Sequence, residues 1–206
     1  MRDGEVGRHS AIGQVVIAAA MAVLAAPSSV SAQEQSVEAQ IAEAISPLPD
    51  SLRAGASVVS YDGRGNPQVL RAGTNSVVCH PDVAVVPGFF VRCHHKALAP
   101  QRDMEAKLFT EGKPPADVQA AVQAGIKAGT LTAAPAGTME YVRTGETREK
   151  SSVLWVMMLP NATGESTGLS TAESQTAPWL MFAGTPGAHI MMPQSAAGGA
   201  ASGSAK

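Results

Sequence analysis

What a chain with two cysteines can fold into depends on the compartment in which it matures. The stretch "SVVCHPDVAVVPGFFVRCHHKAL" holds the only two cysteines of this chain, Cys79 and Cys93, and three of its five histidines. In an oxidising compartment such a pair closes a disulfide, and in a reducing one the thiols stay free to bind metal. The N-terminus therefore decides how this segment is read. Arg2 and Arg8 precede the apolar run "VVIAAAMAVLAA", which ends at a Pro-Ser break and "VSAQ". The run is shorter than the roughly 20 residues a spanning helix requires, and it has the length of a signal-peptide core. Small side chains at Val30 and Ala32 suit cleavage before Gln33. The expectation is a signal peptide over 1–32, with an uncleaved anchor as its alternative, and a periplasmic or extracellular protein. No second apolar run is long enough for an integral membrane segment.

Export makes the disulfide Cys79–Cys93 the first reading. It would close a loop of about 15 residues, for which chain entropy gives about 3 kcal/mol. The second reading is a zinc or copper site drawing on the two sulfurs with His80, His94 and His95, since thiolate and imidazole suit both metals. Adjacent residues on an extended strand point to opposite sides, so only one of each neighbouring pair can reach a common ion.

Beyond the leader, the pattern predicts a single domain over 33–194. Val37, Ile41, Ala44 and Ile45 fall at helical spacing before Pro47 and Pro49. Strands near 56–61, 67–71 and 76–80 follow, separated by the turn formers "DGRGNP" and "AGTN", and are read as a meander. Two helices come next. In the first, Met104, Leu108 and Phe109 share a side and Gly112 ends it. In the second, Val118, Ala121, Val122, Gly125 and Ile126 form a stripe that stops at Gly129. "TMEYVRTG", "SVLWVMMLP" and the two apolar runs around "GTPG" return to strands. The polar connection "NATGESTGLSTAESQTA" is read as a mobile flap or disorder. The tail 195–206, "SAAGGAASGSAK", is too small and polar to pack. Strands and helices in separate runs predict an α+β fold: an antiparallel sheet of about six strands with two or three helices.

Function is bounded mainly by exclusion. With 15 basic against 17 acidic side chains, the chain carries no basic footprint for nucleic acid. No Gly-x-Ser-x-Gly, His-Glu-x-x-His or Walker loop appears, and no cofactor is implied. His189, in "GAHIMMP", is the one candidate catalytic residue, a general base with Asp82 or Glu140 as a carboxylate partner. Alternatively, His189 and Met191 could join a methionine of "WVMMLP" around copper(I), or His189 is simply a structural histidine. The methionines themselves read first as core fillers.

Taken together, "VLRAGTN", Cys79-Pro81-Asp82 and Gly184-Thr185-Pro186 with Ala188-His189 resemble a family of uncharacterised exported bacterial proteins. The resemblance runs from about Ala44 to Pro193 and implies a compartment but no mechanism. The family pattern has methionine or a similar residue after the first cysteine, where this chain has His80. It also lacks the pair His94–His95. The leading functional expectation is a small binding or interaction module of the cell envelope, with a metal-handling protein and a His-dependent hydrolase as the competing classes.

Overall fold

Helix α1 (Val37–Ala44) starts where the Ser36 hydroxyl accepts a hydrogen bond from the Ala39 amide, 3.2 Å away. Such a cap satisfies one of the amides that a helix start leaves without a partner. A single turn, α2 (Asp50–Arg53), leads into strands β1 (Ser57–Tyr61), β2 (Pro67–Arg71), β3 (Val77–His80) and β4 (Phe89–His95). The computed structural model describes residues 35–82 and 87–194. The expected leader, the tail from Ser195 and the apolar centre of the cysteine loop lie outside the described residues. Helices α3 (Ala99–Thr110) and α4 (Pro115–Ala128) come next, then β5 (Met139–Gly145) and β6 (Ser151–Met158). The short α5 (Gly164–Thr167), β7 (Trp179–Met181) and β8 (His189–Gln194) complete the described residues. Gly129 ends α4 at φ 74°, the left-handed conformation expected of a terminating glycine.

Among the described residues all eight strands belong to one sheet, in the order β2-β1-β3-β4-β5-β6-β8-β7. The α+β class holds, with two more strands than about six and with five helices, two of them single turns. The first three strands occupy the expected residues but do not form a meander. β1 lies between β2 and β3, and its pairing with β3 is parallel. The cause lies in the "AGTN" connection. Both the Thr74 and Asn75 amides donate to the Gly55 carbonyl, at 2.7 and 3.0 Å, so the chain crosses the start of β1 to its other side. A Cβ at Gly73 would stand 2.3 Å from the Ser57 nitrogen, so only glycine fits the crossing. At the outer edge, β2 is largely exposed, begins with Pro67 and pairs with β1 across a bulge at Val58/Val59.

β4 is the strand that the sequence pattern did not separate from its loop. It pairs antiparallel with β3 and places Cys79 directly opposite Cys93, where the two sulfurs form a disulfide. Both cysteines are fully buried among Ala44, Leu48, Val58, Val77 and Tyr141, under α1. Tyr141 meets Trp155 edge to face at 5.7 Å on the same side. Successive strand residues alternate between faces. Arg92 and His94 therefore turn to the opposite face from Cys93, together with Glu140, which is paired with His94, and Val142, paired with Arg92.

The polar connection between β6 and β7 is ordered rather than a flap. Thr163 and Ser166 cap α5 reciprocally, and the Leu180 amide donates to the Ser170 carbonyl at 2.8 Å. Among the described residues no helix is long and apolar enough to cross a membrane.

Replacing Cys79 and Cys93 together by alanine is expected to lower the unfolding free energy by about 3 kcal/mol. Urea unfolding measures this, and the same loss should appear when the intact protein is reduced.

Candidate functional site

Helices α3 and α4 lie over the sheet face opposite the disulfide, and the residues between them and the sheet include most of the buried polar groups. Gln101 is the one fully buried residue of α3. Its neighbours Arg102 and Glu105 are also turned inward, with side chains only 11% and 13% exposed. They complete a ring of four charges with the sheet. Arg92 Nη1 lies 2.9 Å from Glu105 Oε2, and Arg92 Nε lies 3.3 Å from Glu140 Oε1. Arg102 closes the ring through Nη1 to Glu105 and Nη2 to Glu140, both at 2.5 Å. Burial alone would raise the Glu140 carboxyl, but the adjacent Arg102 and Arg92 guanidiniums hold it below the ordinary carboxylate range.

The ring separates two cavities that share Phe90, Arg92, Arg102 and Phe109 as walls. One, of about 440 Å³, is lined by Tyr61, His80, Pro81 and Asp82. Tyr61 donates its hydroxyl to Asp103 at 3.0 Å. Burial first, and then Asp103, pushes this phenol up. The other, of about 420 Å³, lies under α4 and is walled mainly by Val118, Val122, Leu154, Val156, Met158 and Met191, with Gln123, Glu140, Thr144 and His189 among its polar members.

His189 enters this second cavity from β8. Its Nδ1 donates to the Gly187 carbonyl at 2.7 Å. That contact fixes the tautomer, because a carbonyl only accepts, and leaves Nε2 as the accepting nitrogen. Phe182 packs edge-on against the ring at 5.4 Å. Burial pushes His189 below the ordinary histidine range, against the opposing pull of Glu140. The imidazole is thus neutral near pH 7, a hydrogen-bond acceptor in an apolar wall. Of the two carboxylates considered for it, Glu140 lines the same cavity, whereas Asp82 lines the other and accepts from the Phe90 amide at 3.0 Å. No hydroxyl of the described residues is hydrogen-bonded to His189.

The register of the sheet surrounds His189 with thioethers. Met158 is its partner on β6 and Met181 its partner on β7. Met191 follows two residues later on the same face of β8. All three line the cavity with His189.

The histidines of the cysteine segment divide. His80 and His94 meet behind the first cavity, Nε2 to Nε2 at 2.9 Å. His95 points to the other face, where its Nδ1 accepts from the Ala97 amide at 3.2 Å and caps the turn Lys96–Leu98. The oxidised cysteines offer no thiolate. Among the described residues no group of three or more His, Cys, Asp and Glu is placed to hold a metal ion. The charged ring was missed by sequence reasoning apart from Glu140. The available signal was the weak apolar stripe of "QRDMEAKLFTEG", too weak for a helix buried by hydrophobic contact alone.

Removing one member of a buried ion-pair network leaves the other charges uncompensated, at a cost of about 3–5 kcal/mol. Glu140→Ala is expected to destabilise the fold by that order in urea unfolding. Glu140 also makes stability pH-dependent. A carboxyl depressed in the folded state contributes stability that is present above its unfolded pKa and lost as pH falls through the folded one. Acid titration of the wild type should show that loss, and Glu140→Gln should flatten it. Comparison with known proteins returned no matching family model, no curated relative and no solved structure.

Proposed function

We propose that this protein is an exported binding module that takes a small, mostly apolar molecule bearing a hydrogen-bond donor into the cavity beneath α4. The observation that carries this reading is the cavity itself. About 420 Å³ in volume, it is walled by aliphatic and thioether side chains, with a few polar groups converging on it. Sites of this size and lining are typical of small-molecule pockets. Neutral His189 supplies an acceptor through Nε2. Export is supported by the N-terminal apolar run read as a leader and by the disulfide, a bond that persists where the surroundings oxidise. A hydrolase is the weaker reading, because His189 has no hydroxyl nucleophile in contact.

A second reading is favoured by the methionine register. Cross-strand neighbours stand about 5 Å apart at Cβ, which brings the sulfurs of Met158 and Met181 within reach of the His189 ring. Three thioethers and an imidazole suit copper(I), a soft ion.

One pair of variants separates the two readings. Met158→Leu with Met181→Leu keeps the apolar wall and nearly its volume, while removing two soft donors. Small-molecule binding predicts that an environment-sensitive apolar dye is held about equally by wild type and this double variant, and at least tenfold less tightly by Val122→Trp, which fills the cavity. Copper(I) binding predicts that the double variant loses competition with a chromogenic copper(I) chelator. Wild type that neither holds the dye nor competes for copper(I) would rule out both.

A further inference from the structure

The contact between His80 and His94 poses a problem of proton counting. His80 Nδ1 lies 2.8 Å from the Val59 carbonyl, and His94 Nδ1 lies 2.9 Å from the His95 carbonyl. Carbonyl oxygens only accept, so both Nδ1 atoms carry hydrogen. A neutral imidazole has a single N–H. If both rings were neutral, each Nε2 would be a bare lone pair, and the two would face one another at 2.9 Å. Only 7% and 1% exposed respectively, the rings have no solvent between them to relieve that opposition. Two protons are refused as well. Burial comes first in pushing both rings down, and for His80 the charge of a protonated His94 comes next.

We propose that His80 and His94 hold a single proton between their Nε2 atoms, as one imidazole–imidazolium pair. The ring geometry suits that occupant. The planes differ by 13° and the centroids are 5.1 Å apart. That separation is what rings lying end to end give when their nitrogens are 2.9 Å apart, so the N–H···N line is nearly straight. A bridging zinc or copper ion, with bonds of about 2.0–2.1 Å to each nitrogen, does not fit on a straight line of that length.

Charges of both signs surround the pair: after burial, Arg92 and Arg102 push both rings down, and Glu105 pulls His94 up. Arg92 lies on His94's own strand and Glu140 is its partner on β5. Arg102 and Glu105 face the pair from α3. Tyr61 of β1 lies against His80 at 5.1 Å and carries Asp103 on its hydroxyl. Asp62 and Asp82 line the same cavity as His80, and His189 couples to the cluster through Glu140 and Arg102. The carboxylates outnumber the guanidiniums, and each guanidinium is already shared between two of them.

Long-range proton–nitrogen NMR on histidine-labelled protein reads the protonation directly. At pH 7 both Nδ1 nitrogens are expected at protonated shifts. The two Nε2 nitrogens should lie between the protonated and bare values, coupled to one strongly deshielded proton. Two bare Nε2 shifts, or a full Nε2–H on a ring whose Nδ1 is bare, would overturn the proposal. Adding zinc alone should leave these signals in place, and their loss at one equivalent would assign the site to metal instead. Stability against pH gives a second readout. Unfolded histidines bind no proton well above about 6.5 and one each well below it, whereas the folded pair binds one throughout. The pair's contribution is therefore largest near that pH and falls on both sides. His80→Gln, whose amide can donate to His94 Nε2, should lose the fall on the alkaline side. A wild-type curve with no alkaline fall distinct from that of His80→Gln counts against the shared proton.

Discussion

The disulfide matters less for the loop it closes than for the register it enforces. Cys79 and Cys93 are directly opposed in the β3–β4 ladder, and side chains alternate faces along each strand. A slip of one residue in either strand would exchange its faces. With the sulfurs joined under α1, His80, Arg92 and His94 are committed to the face beneath α3. Every polar feature of this side of the sheet descends from that commitment. The apolar pocket does as well, because β5, β6 and β8 continue the same register outward.

The charged ring does for α3 what apolar packing does for α4. Val118, Val122 and Ile126 bury α4 in the ordinary way. By contrast, α3 presents Arg102 and Glu105 to Arg92 and Glu140. A buried network of this kind adds little net stability compared with an apolar interface of equal volume, but it is exacting about geometry. It fixes the distance between α3 and the sheet, and so the width of both cavities, and it places polar groups at the rim of an apolar pocket.

Much of this architecture was legible in the sequence because it is written locally. Turn formers marked the first three strands, Gly112 and Gly129 marked helix ends, and the 118–122–126 stripe marked the buried side of α4. What escaped depends on partners distant in the chain. Arg102 and Glu105 read as a solvated surface until Arg92 and Glu140 are brought opposite them. β4 was masked because one face bears Arg92 and His94, residues that argue against burial unless their counterparts are known. The place of β1 between β2 and β3 follows from one glycine crossing, which no periodicity records. For the site, His189, Met191 and a methionine of "WVMMLP" were identified from sequence, while strand register selects Met158 over Met157 and adds Met181. His80 and His94 were grouped in the sequence only as alternative metal ligands with the sulfurs, and their direct contact follows from the β3–β4 register.

The outer strand β2 shows how the sheet ends. It exposes Val69 at 68%, and an open row of backbone donors and acceptors beside such a residue is a template on which another chain can grow. Pro67 removes a donor at one end, the bulge in β1 skews the ladder, and at the other end Arg71 folds back to bond the Ala56 carbonyl. These are the devices by which sheets avoid polymerising edge to edge. A sheet that is not to grow into fibrils needs its outermost strand spoiled in this way.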